Sequence, residues 1–457
     1  MSDRAHWRRL IAVGAIVGLG LTACGGGDTT DDPSDAETSE PMGTETGSPT
    51  EVSMGPGVTA EPCPDAVNAD NGCIYLGIIS DLTDGPFAPL AKPLTDAQVE
   101  FWAAVNEAGG IGGAFDVDVT TYQEDAKYNA EAHAQAYTRI REEVAALAQS
   151  LGTSQTLGVF DQMEADNMVA VPATWWSGWG STDLVLETGS SYCVDAMNGV
   201  DYVMESLGGA ENIAVVGIPG DYGEDWKVGV KAAAEAHGIS VNVEVTQVPI
   251  VAGGTVDQAV SDILSASPRP NAVFVATGPT ELGQIMGGVF QQDNSYTPVY
   301  IGAAPSFNKA LLESAVGPLM LQTFFGMAPY AAYDGESAAH DAIREALPDP
   351  VNDGMTFGWM QSYAMLDVLE AAHASGDLTR EGIRAAAGST TPDWLGGAPS
   401  IDYGGQPNDR AVRDSVVHKP SEDATTGIAI IEDRYAGSTA ADYDLSAPCF
   451  APEGFGG

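Results

Sequence analysis

Three tryptophans fall within five residues in PATWWSGWG, 172–180. An indole offers a broad flat face that stacks on a ring or sugar, or faces a cation. Its N–H can only donate. Such a cluster at a strand end is suited to holding a ligand, with one or two of the rings packing into the interior. Trp176 and Trp179 are the leading candidates for ligand contact. Reaction chemistry is not visible in the same way. The six histidines (His6, His133, His237, His340, His373 and His418) show no HExxH spacing. No GxSxG elbow or lysine-bearing phosphate loop occurs either. Neither a metal nor a cofactor is therefore expected.

The five cysteines divide into one and four. Cys24, in LTACGGG, follows Arg4, Arg8, Arg9 and an apolar run over 10–23. That is the layout of an export signal, and it is shorter than the roughly 20 apolar residues of a membrane span. Leu21-Thr22-Ala23-Cys24 resembles a bacterial lipobox, which implies cleavage before Cys24 and a lipid on its thiol. Cys63, Cys73, Cys193 and Cys449 are an even set in an exported chain, so two disulfides are expected. Three connectivities are open. The favoured one pairs Cys63 with Cys73 in a local loop and Cys193 with Cys449, stapling the C-terminus to the body.

Sixty-four acidic residues against 18 basic ones give a formal charge of −46. Phosphate backbones would be repelled, so nucleic acid is excluded as a partner. The same field favours a soluble monomer. The 457 residues suffice for two or three domains. Residues 1–23 read as the signal. Residues 24–62 read as a disordered acidic tether, because nothing in 25–62 builds a core and the stretch has no Lys or Arg. Such a leash would span roughly 35 Å.

The folded body is expected from about Cys73. IYLGIIS (74–80) reads as a buried strand, with a helix over 95–107 that ends in glycines at NEAGGIGG. FDVDVTTY (115–122) alternates as a strand. A helix over 129–141, a strand within 144–152, a helix from Ser154 and a strand over 168–175 complete one series. After Cys193 a second series begins. Strands at 212–218, 239–249, 271–277 and 298–303 alternate with helices at 195–206, 224–237, 256–266 and 280–291. Alternation of this kind predicts α/β lobes with parallel sheets. Helices over 337–347, 355–374 and 379–387, with no strand between the last two, are expected to return to the first lobe. A final strand falls at 426–435.

IYLGIISDLTDGPFAPL, VNEAGGIGG, LGTSQT, GDYGEDWKVGVKAAAEAHG and ELGQIM, in this order, resemble the branched-chain-amino-acid-type periplasmic binding proteins. The resemblance runs over about 73–435. It implies the type I fold, two Rossmann-like lobes joined by three crossings, here 73–194 with 330–392 and 195–329 with 393–450. It also implies a small-molecule ligand in the cleft, hinge closure around it, and an ABC permease as membrane partner.

The resemblance carries residue by residue. Thr153 and Ser154 open the helix that holds a ligand carboxylate in the family. Phe87 and Tyr222 fall where aromatic residues contact the ligand. Ser177 and Trp179 align with a small residue and an ammonium-binding threonine. Thr277 and Gly278 complete the expected ligand set, Gly278 standing where a tyrosine is usual. Ala304 stands where an acid pairs with the α-ammonium. The ammonium site is thus lost unless Glu281 or Asp84 substitutes, since an unpaired buried charge costs several kcal/mol. The expected function is a non-enzymatic, lipid-anchored binding protein on the outer face of the cell membrane. Its ligand is amino-acid-like, a carboxylate or amide, or ring-bearing. A ligand sensor feeding a signalling partner is the alternative. An exported hydrolase would need a nucleophile–base pair that no motif signals.

Overall fold

Strands and helices alternate along most of the chain, and the computed structural model, which describes residues 52–452, gathers the principal strands into two sheets. The export signal, Cys24 and most of the acidic segment lie outside the described residues. In the first lobe the strand Gly72–Ser80 is central and almost wholly buried. Ala146–Ser150 and then Ala170–Pro172 extend the sheet in parallel on one side. Phe115–Asp118 and Gln123–Asp125 pair in succession with the same central strand. The single strand expected over 115–122 is thus two. Asp118 Oδ1 accepts the backbone N–H groups of Thr120 and Thr121, which turns the chain between them.

The second lobe is a seven-stranded sheet in the order 428–435, 415–420, 324–328, 299–303, 272–276, 212–217, 240–246. Five strands are parallel, and the last two in sequence run antiparallel at one edge. The runs AVFVA (272–276) and FFGMA (324–328) are buried throughout, as expected of strands covered on both faces.

Four expectations are corrected by tertiary contacts. The ordered body begins before Cys73. Ser53–Met54 pairs with Asp377–Leu378, Val58–Thr59 pairs with the central strand, and Cys63 is disulfide-bonded to Cys73. Polar composition hid this, because a two-residue edge pairing needs no apolar pattern. The first helix starts at Ala88, not Thr95, with a proline in its opening turn where a missing N–H costs nothing. The strand Asp377–Leu378 intervenes between the last two long helices. Residues 393–405 also stay on the first lobe, where Ala339 N donates to Leu395 O and Gly397 lies against Met360.

The helix Gly354–Ser375 packs on Ala88–Ala108 and so returns the chain to the first lobe. Glycine permits the approach. A Cβ on Gly354 would lie 2.4 Å from Leu90 O, and one on Gly358 would lie 2.0 Å from Leu94 O. The chain passes between lobes near 186–191, 329–337 and 406–414. Arg410 and Glu187 tie the first and third passages through a buried ion pair of 2.6 Å. The disulfides are Cys63–Cys73 and Cys193–Cys449, the favoured connectivity.

Two buried acids make the fold sensitive to pH. Burial pushes Asp195 up to about 7 against hydrogen bonds from Ser190 and Ser415. Burial likewise pushes Asp353 up to about 6 against Thr426, Tyr333 and Thr356. Both values lie above the unfolded value of about 4. The folded state therefore holds extra protons between the two values, and stability falls as pH rises through them. The melting temperature is expected to rise as pH drops from about 7.5 to about 5, and an Asp195→Asn, Asp353→Asn variant should flatten that slope. A parallel pH profile for the variant would refute these assignments.

Candidate functional site

Phe87, in the loop after the central strand, is set by Asp81. One Asp81 oxygen accepts from Gly85 N and the other from Phe87 N, both at 2.9 Å. Burial raises the Asp81 carboxyl, and these N–H donors oppose the rise. The Phe87 ring packs edge-on against Tyr128 at 4.7 Å and Tyr222 at 6.1 Å. Tyr128 and Lys127 both have left-handed backbone, φ +55° and +51°. Non-glycine residues adopt that region rarely, and such conformations concentrate at ligand sites. Gln155 Nε2 holds the turn by donating to Tyr128 O.

These rings wall a narrow cavity between the lobes. Thr174, Trp175 and Phe357 join from the first lobe, and Tyr192 and Tyr222 from the second. Trp175 lies 5.4 Å from Phe357 and 6.1 Å from Tyr192, and Tyr192 lies 4.5 Å from Tyr222. The Tyr222 hydroxyl is directed to Ser306 Oγ at 3.1 Å, so its ring, not its oxygen, serves the wall. None of the residues lining this cavity is charged.

A pair of threonine hydroxyls adjoins it. Thr153 Oγ1 and Thr174 Oγ1 are 3.0 Å apart, and Trp179 Nε1 donates to Thr174 Oγ1 at 3.2 Å. The indole cannot accept, so it occupies an acceptor site on Thr174. The two hydroxyls carry two protons and share one hydrogen bond, and among the described residues no acceptor takes the other proton. The pair therefore presents a spare donor beside the cavity. That suits a carboxylate or carbonyl oxygen.

The remaining sequence candidates are placed differently. Trp176 and Trp179 pack in the first lobe's core with Tyr137, Met163 and Leu184, while Trp175 takes the cavity wall. The strand ends at Pro172, and the residues immediately beyond a strand end reach the cleft. The chain then turns inward, so the alignment that put Ser177 and Trp179 at the ligand is displaced. Ser177 instead donates to Asp225 Oδ1 at 2.5 Å. Ser154 meets the second lobe, its Oγ 3.0 Å from where a Cβ on Gly220 would stand. Thr277 is bonded within the second lobe, Oγ1 to Gly278 O and N to Ser306 Oγ beyond the next strand. Gly278 faces Glu281 and the carbonyl of Pro86. Asp84 pairs with Lys127 at the surface, and Glu281 accepts from Ile250 N. Neither acid lines the cavity, so neither replaces the acid missing at Ala304.

Tyr128, Thr174, Trp175, Tyr192 and Phe357 were not singled out as ligand contacts by sequence reasoning. The strand-end rule could have found Thr174 and Trp175. Tyr192 opens the helix just beyond the first interlobe crossing, Phe357 lies in the first turn of the helix Gly354–Ser375, and nothing local marks either.

Two α/β lobes meeting over an aromatic, uncharged cavity define a small-molecule trap. The family model described as periplasmic binding protein matches residues 74–421, and the chain belongs to that family, in its type I form. It is similar to a fatty acid ABC transporter substrate-binding protein from Thermomonospora curvata, with 27% identity. That match covers 86% of this chain and 97% of that one, with a TM-score of 0.76. A branched chain amino acid ABC transporter structure from Thermus thermophilus with bound valine shares the fold at 13% identity. It covers 81% and 98% of the two chains, with a TM-score of 0.67. A leucine binding protein from Thermotoga maritima does so at 16% identity, 79% and 98% coverage and a TM-score of 0.65. No curated protein sequence matches the chain.

Proposed function

We propose that this chain is the substrate-binding lipoprotein of an ABC importer and that its ligand is an apolar carboxylate of the fatty-acid class. The observation that carries the ligand class is the cavity wall. It is aromatic and aliphatic, it contains no acid to pair with an ammonium, and the Thr153–Thr174 pair sets a spare hydroxyl donor beside it. The similarity to the Thermomonospora curvata protein supports the same class. Burying about 100 Å² of ligand hydrocarbon contributes roughly 2.5 kcal/mol. An α-ammonium in the same place would cost several kcal/mol. The lipid at Cys24 and an acidic leash would hold the trap beside its permease. Capture and release need no catalytic group.

Titration calorimetry of the purified protein with dodecanoic acid and with leucine tests this. Saturable binding of the acid with no measurable leucine heat is expected. Tighter binding of leucine would overturn the ligand assignment and leave the family standing. Mass spectrometry of the protein from its native cells tests the anchor. The expected N-terminus is an acylated Cys24, and an unprocessed Met1 refutes it.

A further inference from the structure

A second, smaller interlobe cavity adjoins the first. Leu90 and Phe357 line both, so these two side chains are the partition. Ala304, where the expected acid is missing, lines the second cavity. So does His418, on the strand Ser415–Pro420. His418 is 3% exposed, and its Nε2 has no hydrogen-bond partner among the described residues. A buried polar atom left unpaired costs about 1–3 kcal/mol.

The other charged groups of this wall are already engaged. Asp353 accepts from Tyr333 N, Thr356 Oγ1 and Thr426 Oγ1. Lys309 Nζ donates to Thr425 O at 2.8 Å. The imidazole nitrogen is the group in this chamber that lacks a partner. Burial holds His418 down at about 3, so the ring is neutral in the physiological range.

We infer that the two chambers form one site for a hydroxylated fatty acid. The carboxylate sits by Thr153 and Thr174, the chain passes Leu90 and Phe357, and a hydroxyl near the far end bonds His418 Nε2. This rests on the apolar-carboxylate reading above. A hydroxyl both donates and accepts, so it satisfies either imidazole tautomer. A second carboxylate would meet Asp353 and be disfavoured. A plain methyl end would leave the nitrogen unpaired.

The test is titration of the full chain with saturated acids from decanoic to octadecanoic and with the ω-hydroxy derivative of each. At the chain length that spans the partition, the hydroxy acid is expected to bind roughly tenfold tighter than its parent. His418→Phe should erase that ratio. Equal affinity of the two series at every length overturns the inference, as does a ratio that survives His418→Phe. The wild-type comparison decides even where the variant fails to fold. Parent acids that bind without a hydroxyl preference leave the fatty-acid reading intact. No binding by either series overturns both.

Discussion

Trp175→Ala is expected to weaken dodecanoic acid binding by roughly a hundredfold, the scale of losing a buried aromatic anchor at a binding site. The same change at Trp176 or Trp179 is expected to act first on stability. All three indoles are nearly inaccessible, at 4%, 1% and 0% exposure. Exposure therefore does not separate them, and their neighbours do. Trp175 faces the cavity with Tyr192, Tyr330 and Phe357 around it. Trp176 and Trp179 pack on each other at 5.0 Å within the lobe core. Truncating a core tryptophan costs about 3–5 kcal/mol.

The measurement is a pair of curves for each variant, ligand titration and urea unfolding. For Trp175→Ala the loss should lie mainly in affinity, with a smaller loss of stability. For Trp176→Ala it should lie in the unfolding midpoint. Wild-type affinity in Trp175→Ala would remove this residue from the site. Trp179→Ala carries an added signature, because its indole N–H supports Thr174. It should weaken a carboxylic acid more than the corresponding methyl ester.

Removing the Cys193–Cys449 disulfide is expected to cost more than removing Cys63–Cys73. The bridges close segments of 256 and 10 residues. On the chain-entropy model these contribute about 5 and about 3 kcal/mol respectively, as upper values. The long-range bridge also holds a contact between lobes. Cys449 N donates to Ser177 Oγ at 2.8 Å, and Trp176 Nε1 donates to Phe450 O at 2.8 Å. Asp225 of the second lobe accepts from Ser177 Oγ, Cys193 N and Phe450 N. The C-terminal segment is thereby tied to both lobes beside the cleft. A Cys193→Ser, Cys449→Ser variant should unfold at lower urea and bind ligand more weakly, because the closed arrangement loses that tie. A Cys63→Ser, Cys73→Ser variant should lose stability with little change in affinity. The reverse order of stability losses would contradict this account.

The sequence by itself determined the alternation of strands and helices, the two lobes and the family. Those properties follow from local patterns of buried strands such as IYLGIIS and NIAVVGI, and from the order of turns. It also placed an alanine at 304, where the family resemblance implies an acid, since an absent carboxylate needs no geometry to be noticed. It indicated aromatic contacts at Phe87 and Tyr222, and both lie in the wall.

Tertiary structure alone decided which tryptophan faces the cavity. Trp175 and Trp176 are adjacent and chemically identical, and only the turn after Pro172 sends one to the cavity and the other to the core. It decided that Thr153 and Thr174, 21 residues apart, share a hydrogen bond and leave one proton over. It brought Tyr192, Phe357 and His418 to the cleft from the first turns of two helices and from the strand next to the sheet edge, all far apart along the chain. It also showed that 53–63, polar enough to read as leash, is held by an edge pairing and a disulfide. Each is a contact between segments distant in sequence, and a pattern read along the chain carries the residues but not their meeting.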